Sequence, residues 1–450
     1  MPNLFKVAKF GGTSMADAAA MRRCAAIVLS DPDKKIIVVS ATAGTTNLLT
    51  ELVSDSSTDQ RVAIAEQIRD KHLAICNDLE EPGNIQEKVE ELLDELKAIA
   101  SRKQIMTGML RDEIFSFGER LSSTIFAQVL REESGSEVIW LDARNVIVTD
   151  SNFGSAEPLP EQIAFKSDEF VQPELNRGRI VTQGFIGSNR QGVTTTLGRG
   201  GSDYSAALFA EAADADVLEI WTDVTAIYTT DPRIVPGAKP ITEISFDEAA
   251  ELSVFGAKVL HPATMIPAIR KNIKVYVGSS MKPDEPGTWI VKETKNNPVI
   301  RAISLRRSQT LLTVRSLEML HQYGFLAKLF SVLSEHKISV DLVTTSEVSV
   351  ALTLDSDINT PGKQKLTDEV LEKLRSFCEV EIDRNLSLIA LIGNNLDATA
   401  GLSGPVFGAL EDVNVRLICH GASSHNLCFL VSEDKSEEVV NILHNKFIKE

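Results

Sequence analysis

The sequence is poor in cysteine, has no long apolar run and shows no excess of positive charge. Its five cysteines (Cys24, Cys76, Cys378, Cys419, Cys428) are an odd number with no CxxC spacing. A disulfide framework or a zinc site is therefore poorly served, and reduced core thiols fit better. No stretch approaches the roughly 18 apolar residues of a membrane span. The opening MPNLFKVAKFGGTS lacks the apolar core and small-residue cleavage site of a signal peptide. A cytoplasmic protein without a membrane partner is the expectation. The formal net charge is −17, with the acids spread along the chain, which argues against nucleic acid as a partner. An anionic ligand would need positive charge gathered locally against that field. Lys and Arg inside Gly-rich segments thus carry more weight than those on helix faces.

What is present is an ordinary globular balance, 43% apolar and 24% charged over 450 residues, a length that implies two or three domains. The first part alternates strand and helix signals. FKVAKF runs into GGTSMADAAAMRRCAAIVL, and KKIIVVSA leads into a Gly- and Thr-bearing turn, which is the pattern of a parallel βαβ unit. Ile85, Val89, Leu92, Leu93, Leu96 and Ile99 share one helical stripe. GRIVTQGFIG and VLEIWTDV suggest further strands, with the helix SDYSAALFAEAADA between them. KVYVGSS reads as a last short strand before the turn-rich MKPDEPGTW and the linker-like KETKNNP. The C-terminal third repeats itself at an offset of 77: Phe330 meets Phe407, Leu333 meets Leu410, Val340 meets Leu417 and Leu352 meets Phe429. TLLTVRS falls on SLIALIG upstream. Each copy reads as strand, loop, helix, strand, tight turn, strand, so two copies of one small α+β module are expected.

Four segments carry candidate chemistry. In KFGGTS (Lys9 to Ser14), two glycines at a strand-to-helix turn let backbone N–H groups approach a phosphate, and Lys9 adds a full charge. A Gly pair after a strand is more often only a tight turn. TLGRGGSDYSA (Thr196 to Ala206) sets Arg199 before another Gly pair, with Ser202 and Asp203 opening a helix, where an Asp is usually only a cap. WTDVTAIYTTDPR (Trp221 to Arg233) is a polar cluster at the carboxyl end of a buried strand, where open α/β sheets place ligands; a solvated turn has comparable weight. FGAKVLHPAT (Phe255 to Thr264) holds Lys258 and His261, the latter given no catalytic role.

Together these segments resemble the aspartokinases of the amino acid kinase family. KFGGTS, VVSATAGTTNLL, SFGERLSS, VTQGFIG, TTTLGRGGSDYSAALFAEA, IWTDVTAIYTTDPR and FGAKVLHPAT are similar to that family's blocks, in its usual order. The repeat is similar to the paired ACT modules behind aspartokinase catalytic domains. MLHQYGFLAKLF, HKISVDLVTTSEVSVALTLD and ICHGASSHNLCFLV resemble the monofunctional lysine-sensitive type.

The resemblance implies an α/β fold: an open, mainly parallel amino acid kinase-type sheet with helices on both faces, then two ferredoxin-like ACT modules. The expected boundaries are 1–294 for the catalytic domain, 295–385 for the first ACT module and 386–450 for the second, with the strand near 299–305 open to sharing. It implies ATP with Mg²⁺ as cofactor, L-aspartate as phosphoryl acceptor, L-lysine as feedback inhibitor, and a homodimer or higher homo-oligomer through the ACT modules. Lys9, Gly11, Gly12 and Ser14 would lie along the ATP phosphates, and Thr222, Asp223, Tyr228, Arg233 and Lys258 would line the nucleotide pocket. Ser40, Thr46, Glu119, Arg199 and Ser202 would hold aspartate, while Asp203 would organise the catalytic Lys9 and Lys258. The effector set would be Met319, Gly324, Phe325, Leu326, Ser339, Val340, Asp341, Ser346 and Glu347 in the first module. At the same offset the second module has Ile418 opposite Asp341 and Ser424 opposite Glu347, so lysine is expected in the first module only.

The chemistry agrees. A zwitterionic substrate needs a cation for its carboxylate (Arg199) and an anion for its ammonium (Glu119). Phosphoryl transfer between two anions needs neutralisation more than a base, because the carboxylate acceptor is already deprotonated. Two other classes stay open. One is a family member acting on glutamate, acetylglutamate, carbamate or a nucleotide, which usually lacks an ACT pair. The other is a non-catalytic amino-acid sensor, against which the intact Lys9, Arg199, Asp203 and Lys258 argue. A fused homoserine dehydrogenase is not expected, since the chain ends at Glu450 just after the second repeat.

Overall fold

The computed structural model describes residues 5–54, 57–80, 83–103, 105–256, 260, 262–320, 323–354 and 366–448. Two compact units emerge, neither continuous in sequence: Met1–Ile227, Pro240–Phe246 and Lys258–Thr294 form one, and Tyr228–Lys239, Asp247–Ala257 and Lys295–Glu450 the other.

The first unit opens with β1 (Lys6–Phe10), α1 (Ala18–Leu29), β2 (Lys34–Val39), α2 (Thr45–Val53), α3 (Thr58–Asn77), α4 (Ile85–Ala100) and α5 (Gly108–Ser134). It continues with β3 (Val138–Leu141), β4 (Val148–Thr149), α6 (Pro160–Phe170), β5 (Arg179–Gln183), β6 (Ile186–Asn189), β7 (Thr194–Thr196), α7 (Gly201–Ala212), β8 (Val217–Thr222) and β9 (Glu243–Ser245). After α8 (Phe246–Val254), which from Asp247 on lies in the second unit, come α9 (Pro262–Lys271), β10 (Lys274–Ser279) and β11 (Thr288–Val291).

Runs such as KKIIVV and VLEIWT are apolar without alternation because their strands are covered on both faces. They build one eight-stranded sheet in the order β3–β5–β2–β1–β8–β10–β11–β9. Its first six strands are all parallel, so their carboxyl ends share one edge. Pleat alternation decides what each face meets. Ala8 and Phe10 of β1 join Met21, Leu49, Ile68, Leu96 and Phe117 in a core built with α1 to α5. Lys9, between them, points to the opposite face and reaches α7. The stripe foreseen on residues 85–99 is the buried side of α4, with Leu92 and Ile99 at its margin.

Two strand expectations change. GRIVTQGFIG is not one strand. It breaks at Phe185, whose φ of 68° cannot continue a strand, and β6 leaves to form a small sheet with β4 and β7. KVYVGSS is not the last strand either, since TWIV returns antiparallel to it as β11 and pairs with β9. The turn-rich segment between them is the connection of that pair.

In the second unit lie β12 (Ile300–Arg315), α10 (Phe325–Glu335), β13 (Val340–Thr345), β14 (Ser349–Leu354) and α11 (Asp368–Arg375). They are followed by β15 (Glu379–Gly393), α12 (Ser403–Phe407), β16 (Leu417–His420), β17 (Asn426–Ser432) and α13 (Ser436–Phe447). The offset of 77 read in the sequence is obeyed by the backbone. Gly324 (φ 88°) and Gly401 (φ 76°) turn the chain before α10 and α12, and Ser308 (φ 58°) and Asn385 (φ 57°) kink the long strands β12 and β15 at matching points. Those two strands cross in antiparallel register. Residues 300–306 of β12 pair with 388–393 of β15, and 311–315 pair with 379–383. One six-stranded sheet results, β13–β14–β12–β15–β17–β16, with a separate hydrophobic core under each half.

Two excursions from the earlier sequence join the second unit, one through its core and one through polar contacts. Val235 is buried in it, Thr229 Oγ1 is 2.9 Å from His444 Nε2, and the Ile303 amide donates to the Thr229 carbonyl at 2.7 Å. Along α8, Glu248 takes an ion pair from Arg301 at 2.6 Å, and Glu251 accepts from Ser423 Oγ and Asn426 Nδ2.

Candidate active site

Lys9 is nearly the last residue of the central strand, aligned with Val38 of β2 and Ile220 of β8. Only 8% exposed, its Nζ lies 2.6 Å from Asp203 Oδ1 in the first turn of α7. The two glycines after it are required by space. A side chain on Gly12 would come within 3.2 Å of the Ala41 carbonyl oxygen, and one on Gly11 would crowd Lys9 Nζ and the Trp221 carbonyl. Ser14 is buried, its hydroxyl 2.7 Å from Ser280 Oγ, and Ser280 in turn bonds the carbonyl of Thr222. The strand ends carrying KFGGTS and WTD are thereby tied together. Ser280, which the sequence reading passes over, is the tie. Thr222 also donates to Asp223.

Glu119 comes from α5, a helix buried on nearly every side between Ser116 and Leu130. The approach is close: a Cβ on Gly118 would sit 2.8 Å from Ala41 Cβ. One carboxylate oxygen accepts the Ala41 amide at 3.1 Å. Burial pushes the Glu119 carboxyl up to about 8, against the pull of that hydrogen bond and of the Lys9 charge. Ser40 is the residue after β2; its amide donates to the Phe10 carbonyl and its carbonyl accepts from Ser122 Oγ. Thr46 is exposed in the first turn of α2. Below it, His72 Nδ1 donates to the Ile68 carbonyl, which leaves Nε2 to accept from Thr42 Oγ1 at 3.1 Å. Burial holds His72 neutral, with its pKa lowered to about 4.

Arg199 is exposed at the tip of a tight turn. The Gly201 amide donates to the Gly198 carbonyl at 3.0 Å, and Gly200, at φ 72° and ψ 9°, has the backbone that the third position of a type II turn demands. Gly184 and Gly201 allow the neighbouring turn to press on α7, since a Cβ on Gly184 would meet Ser202 Cβ at 2.7 Å. Asp112, absent from the candidates named from sequence, is buried beneath this loop on the same helix as Glu119. Its spacing of seven residues, two helical turns on one face, is the signal that could have found it.

Tyr228 and Arg233 belong to the second unit, where Arg233 is largely exposed and paired with Asp231 at 2.6 Å. Lys258 and His261 lie outside the described residues. Of the effector candidates, Met319, Phe325 and Val340 pack against the first module's core, and Phe325 meets Phe377 edge-on. Asp341 accepts from Arg306 at 2.8 Å; Leu326, Ser339, Ser346 and Glu347 are exposed, and Gly324 turns the chain at φ 88°. In the second module the equivalent turn is engaged otherwise: Ser423 bonds Glu251 and the Ser424 carbonyl accepts the Leu396 amide.

A buried lysine–aspartate pair flanked by glycines, on the carboxyl edge of a parallel sheet, is an arrangement for neutralising and positioning phosphate. Such a sheet followed by paired ferredoxin-like modules defines a phosphotransferase of the regulated amino acid kinase class. The Amino acid kinase family model matches residues 5–279, and the ACT domain model matches residues 389–447, the second of the two repeats. The chain is 50% identical to lysine-sensitive aspartokinase 3 of Escherichia coli over 445 residues, 98% of this chain and 99% of that one. The crystal structure of E. coli aspartokinase III with aspartate and ADP (R-state) superposes at a TM-score of 0.88, 49% identical, covering 99% of this chain and all of the other. The form of that enzyme with lysine and aspartate (T-state) gives 0.87 at 50% identity, with 99% and 100% coverage. The chain belongs to the amino acid kinase family and, within it, to the aspartokinases.

Proposed function

We propose that the chain transfers the γ-phosphoryl group of ATP to the β-carboxylate of L-aspartate, giving 4-phospho-L-aspartate and ADP. The observation that carries this reading is the joining of Lys9, Asp203 and Glu119 at one edge of the sheet. Lys9 pairs with Asp203, and its charge is felt by the buried Glu119 carboxyl, which supports reading the first as the phosphate-neutralising cation and the last as the acid that meets the ammonium. Lys9, Gly11, Gly12 and Ser14 cradle the phosphates, and Thr222 and Asp223 line the nucleotide. Arg199 takes a substrate carboxylate through its guanidinium fork, Glu119 takes the ammonium, and Ser40, Thr46 and Ser202 complete the cup. Asp203 fixes the Lys9 ammonium where negative charge develops. Among the described residues no group of three or more His, Cys, Asp or Glu is placed to hold a metal. The donor set fits Mg²⁺ that arrives on the nucleotide, taking its ligands chiefly from phosphate and water. When bound it supplies charge neutralisation.

The same reading makes L-lysine a feedback inhibitor bound at the first module, with Asp341 exchanging its Arg306 partner for a ligand ammonium. The second module is structural, its turn occupied by Glu251. Division at 294 and 385 describes the functional parts, with 300–306 contributed to the second module. The protein is taken to act as a homodimer in the cytoplasm, joined through the first module, whose edge strand β13 exposes Val343. ADP release, with the acyl phosphate trapped by hydroxylamine, tests the whole. Release should require aspartate, fail with glutamate, and fall on adding lysine. Aspartate-independent release, or none, refutes the assignment.

A further inference from the structure

We propose that Asp112 is a positioning residue for substrate recognition: it clasps the two segments that hold the Arg199 turn and so aims the guanidinium at the substrate carboxylate. The inference rests on the reading of Arg199 given above. Asp112 is 1% exposed, on the second turn of α5. Its Oδ2 accepts the amides of Gly154 at 3.0 Å and Thr196 at 2.9 Å, and its Oδ1 accepts the Thr196 hydroxyl at 3.0 Å. Thr196 ends β7, three residues before Arg199, and its carbonyl takes the Ala156 amide at 2.9 Å. Gly154 lies directly under the turn, since a Cβ on Gly198 would come within 3.2 Å of its carbonyl and 3.3 Å of Ser155 Oγ. The loop is also pinned at the helix start, where Gly108 abuts Phe153. The two segments that flank the Arg199 turn, at Gly154 and at Thr196, thus meet on one buried carboxylate.

Backbone hydrogen bonds hold the turn through Leu197 to Phe185, Gly201 to Gly198, Tyr204 to Gly200 and, at its base, Ala156 to Thr196; Asp112 adds the tie to α5. Burial pushes the Asp112 carboxyl up, and the three donors pull it back. A carboxylate that accepts from one loop amide and from the amide and hydroxyl of the strand residue leading into the turn serves the geometry of that turn. On the same helix face, two turns on, Glu119 reads the other end of the zwitterion. One rigid rod then sets the distance between the two recognition charges.

The test is steady-state kinetics on the full-length protein. Asp112→Ala should raise KM for aspartate roughly tenfold or more while KM for ATP stays within about twofold, as expected when buried donors that shape one loop lose their acceptor. Asp112→Asn should restore near-normal KM, because its carbonyl can accept both amides while its NH₂ faces a hydroxyl free to rotate. The double variant Asp112→Ala with Arg199→Ala should be no worse than Arg199→Ala alone. Additive losses, equal rises in both KM values, or an unchanged KM for aspartate in Asp112→Ala overturn the inference. Arg199→Ala run beside them separates the two claims: if it leaves KM for aspartate unchanged, the substrate reading itself falls. Should Asp112→Ala not fold, Thr196→Val, which removes the hydroxyl that donates to Asp112 Oδ1, must show the same split in smaller measure, and equal rises in both KM values there overturn the inference.

Discussion

Glu119 makes aspartate recognition depend on pH in a calculable way. Its carboxyl ordinarily titrates near 4.5, and burial pushes it up to about 8. Between pH 6 and 8.5, roughly, the substrate's ammonium and both its carboxylates keep their charges, so the enzyme's acid is the group that changes. At pH 7 about one unliganded molecule in ten carries an ionised Glu119, and binding an ammonium requires that form. KM for aspartate should therefore fall about ninefold from pH 6 to 7, about fivefold from 7 to 8, and level off above. KM for ATP, read by other groups, should stay flat. ADP release at saturating ATP, with aspartate titrated at each pH, gives both curves. Glu119→Gln should raise KM for aspartate at pH 8, leave that for ATP nearly unchanged, and abolish the slope. Stability provides an independent check. With the folded pKa above the unfolded one, the folded state holds an extra proton between about 4.5 and 8, so stability present below that window is lost as pH rises through it. The Gln variant should lose less of its melting temperature across the same range. A flat aspartate profile between pH 6 and 8, or an equal slope in the ATP profile, refutes the reasoning.

Lys9→Ala should lower turnover by roughly 10²–10³-fold, the range for removing one preorganised charge-stabilising donor; a variant keeping more than about a third of wild-type turnover removes Lys9 from the mechanism. Asp341→Ala should retain near-normal uninhibited turnover and lose lysine inhibition, whereas Ile418→Ala should keep it. Inhibition unchanged in Asp341→Ala, or threonine acting in place of lysine, would sink the effector site. His72, neutral with its pKa lowered to about 4, contributes stability present above pH 6.5 and lost as pH falls through 4. Its replacement by Gln should flatten the acid limb of the melting curve without touching either KM.

The catalytic half was legible where chemistry and backbone need the same residue. Lys9, Gly11 and Gly12 are marked at once by charge and by want of space. The repeat was legible because both copies preserve period and kink, down to Ser308 and Asn385. Other features were hidden by the locality of the signal. Phe185 takes a left-handed backbone between two short strands, where it packs against Gly201 at the start of α7, a contact no local pattern reveals. Asp112 reads as a surface acid within MLRDEIFSFGER, its burial apparent only once β7 lies beside it. The YTTDPRIVPGAK excursion looks continuous with β8, but Ile234 and Val235 find their apolar partners some two hundred residues later.

The crossed strands β12 and β15 have a consequence for biosynthesis. The half-strand 300–306 leaves the ribosome early, yet its partner 388–393 comes only after the whole first module has been made. Until then it is an unpaired apolar edge, whereas the first module, complete with 379–383, can close on itself. Synthesis therefore imposes an order: the first module assembles as a unit nested within the other, and the last strands and helix finish a sheet begun more than eighty residues before. A chain stopped short of β17 would carry a first module already folded beside a half that cannot close.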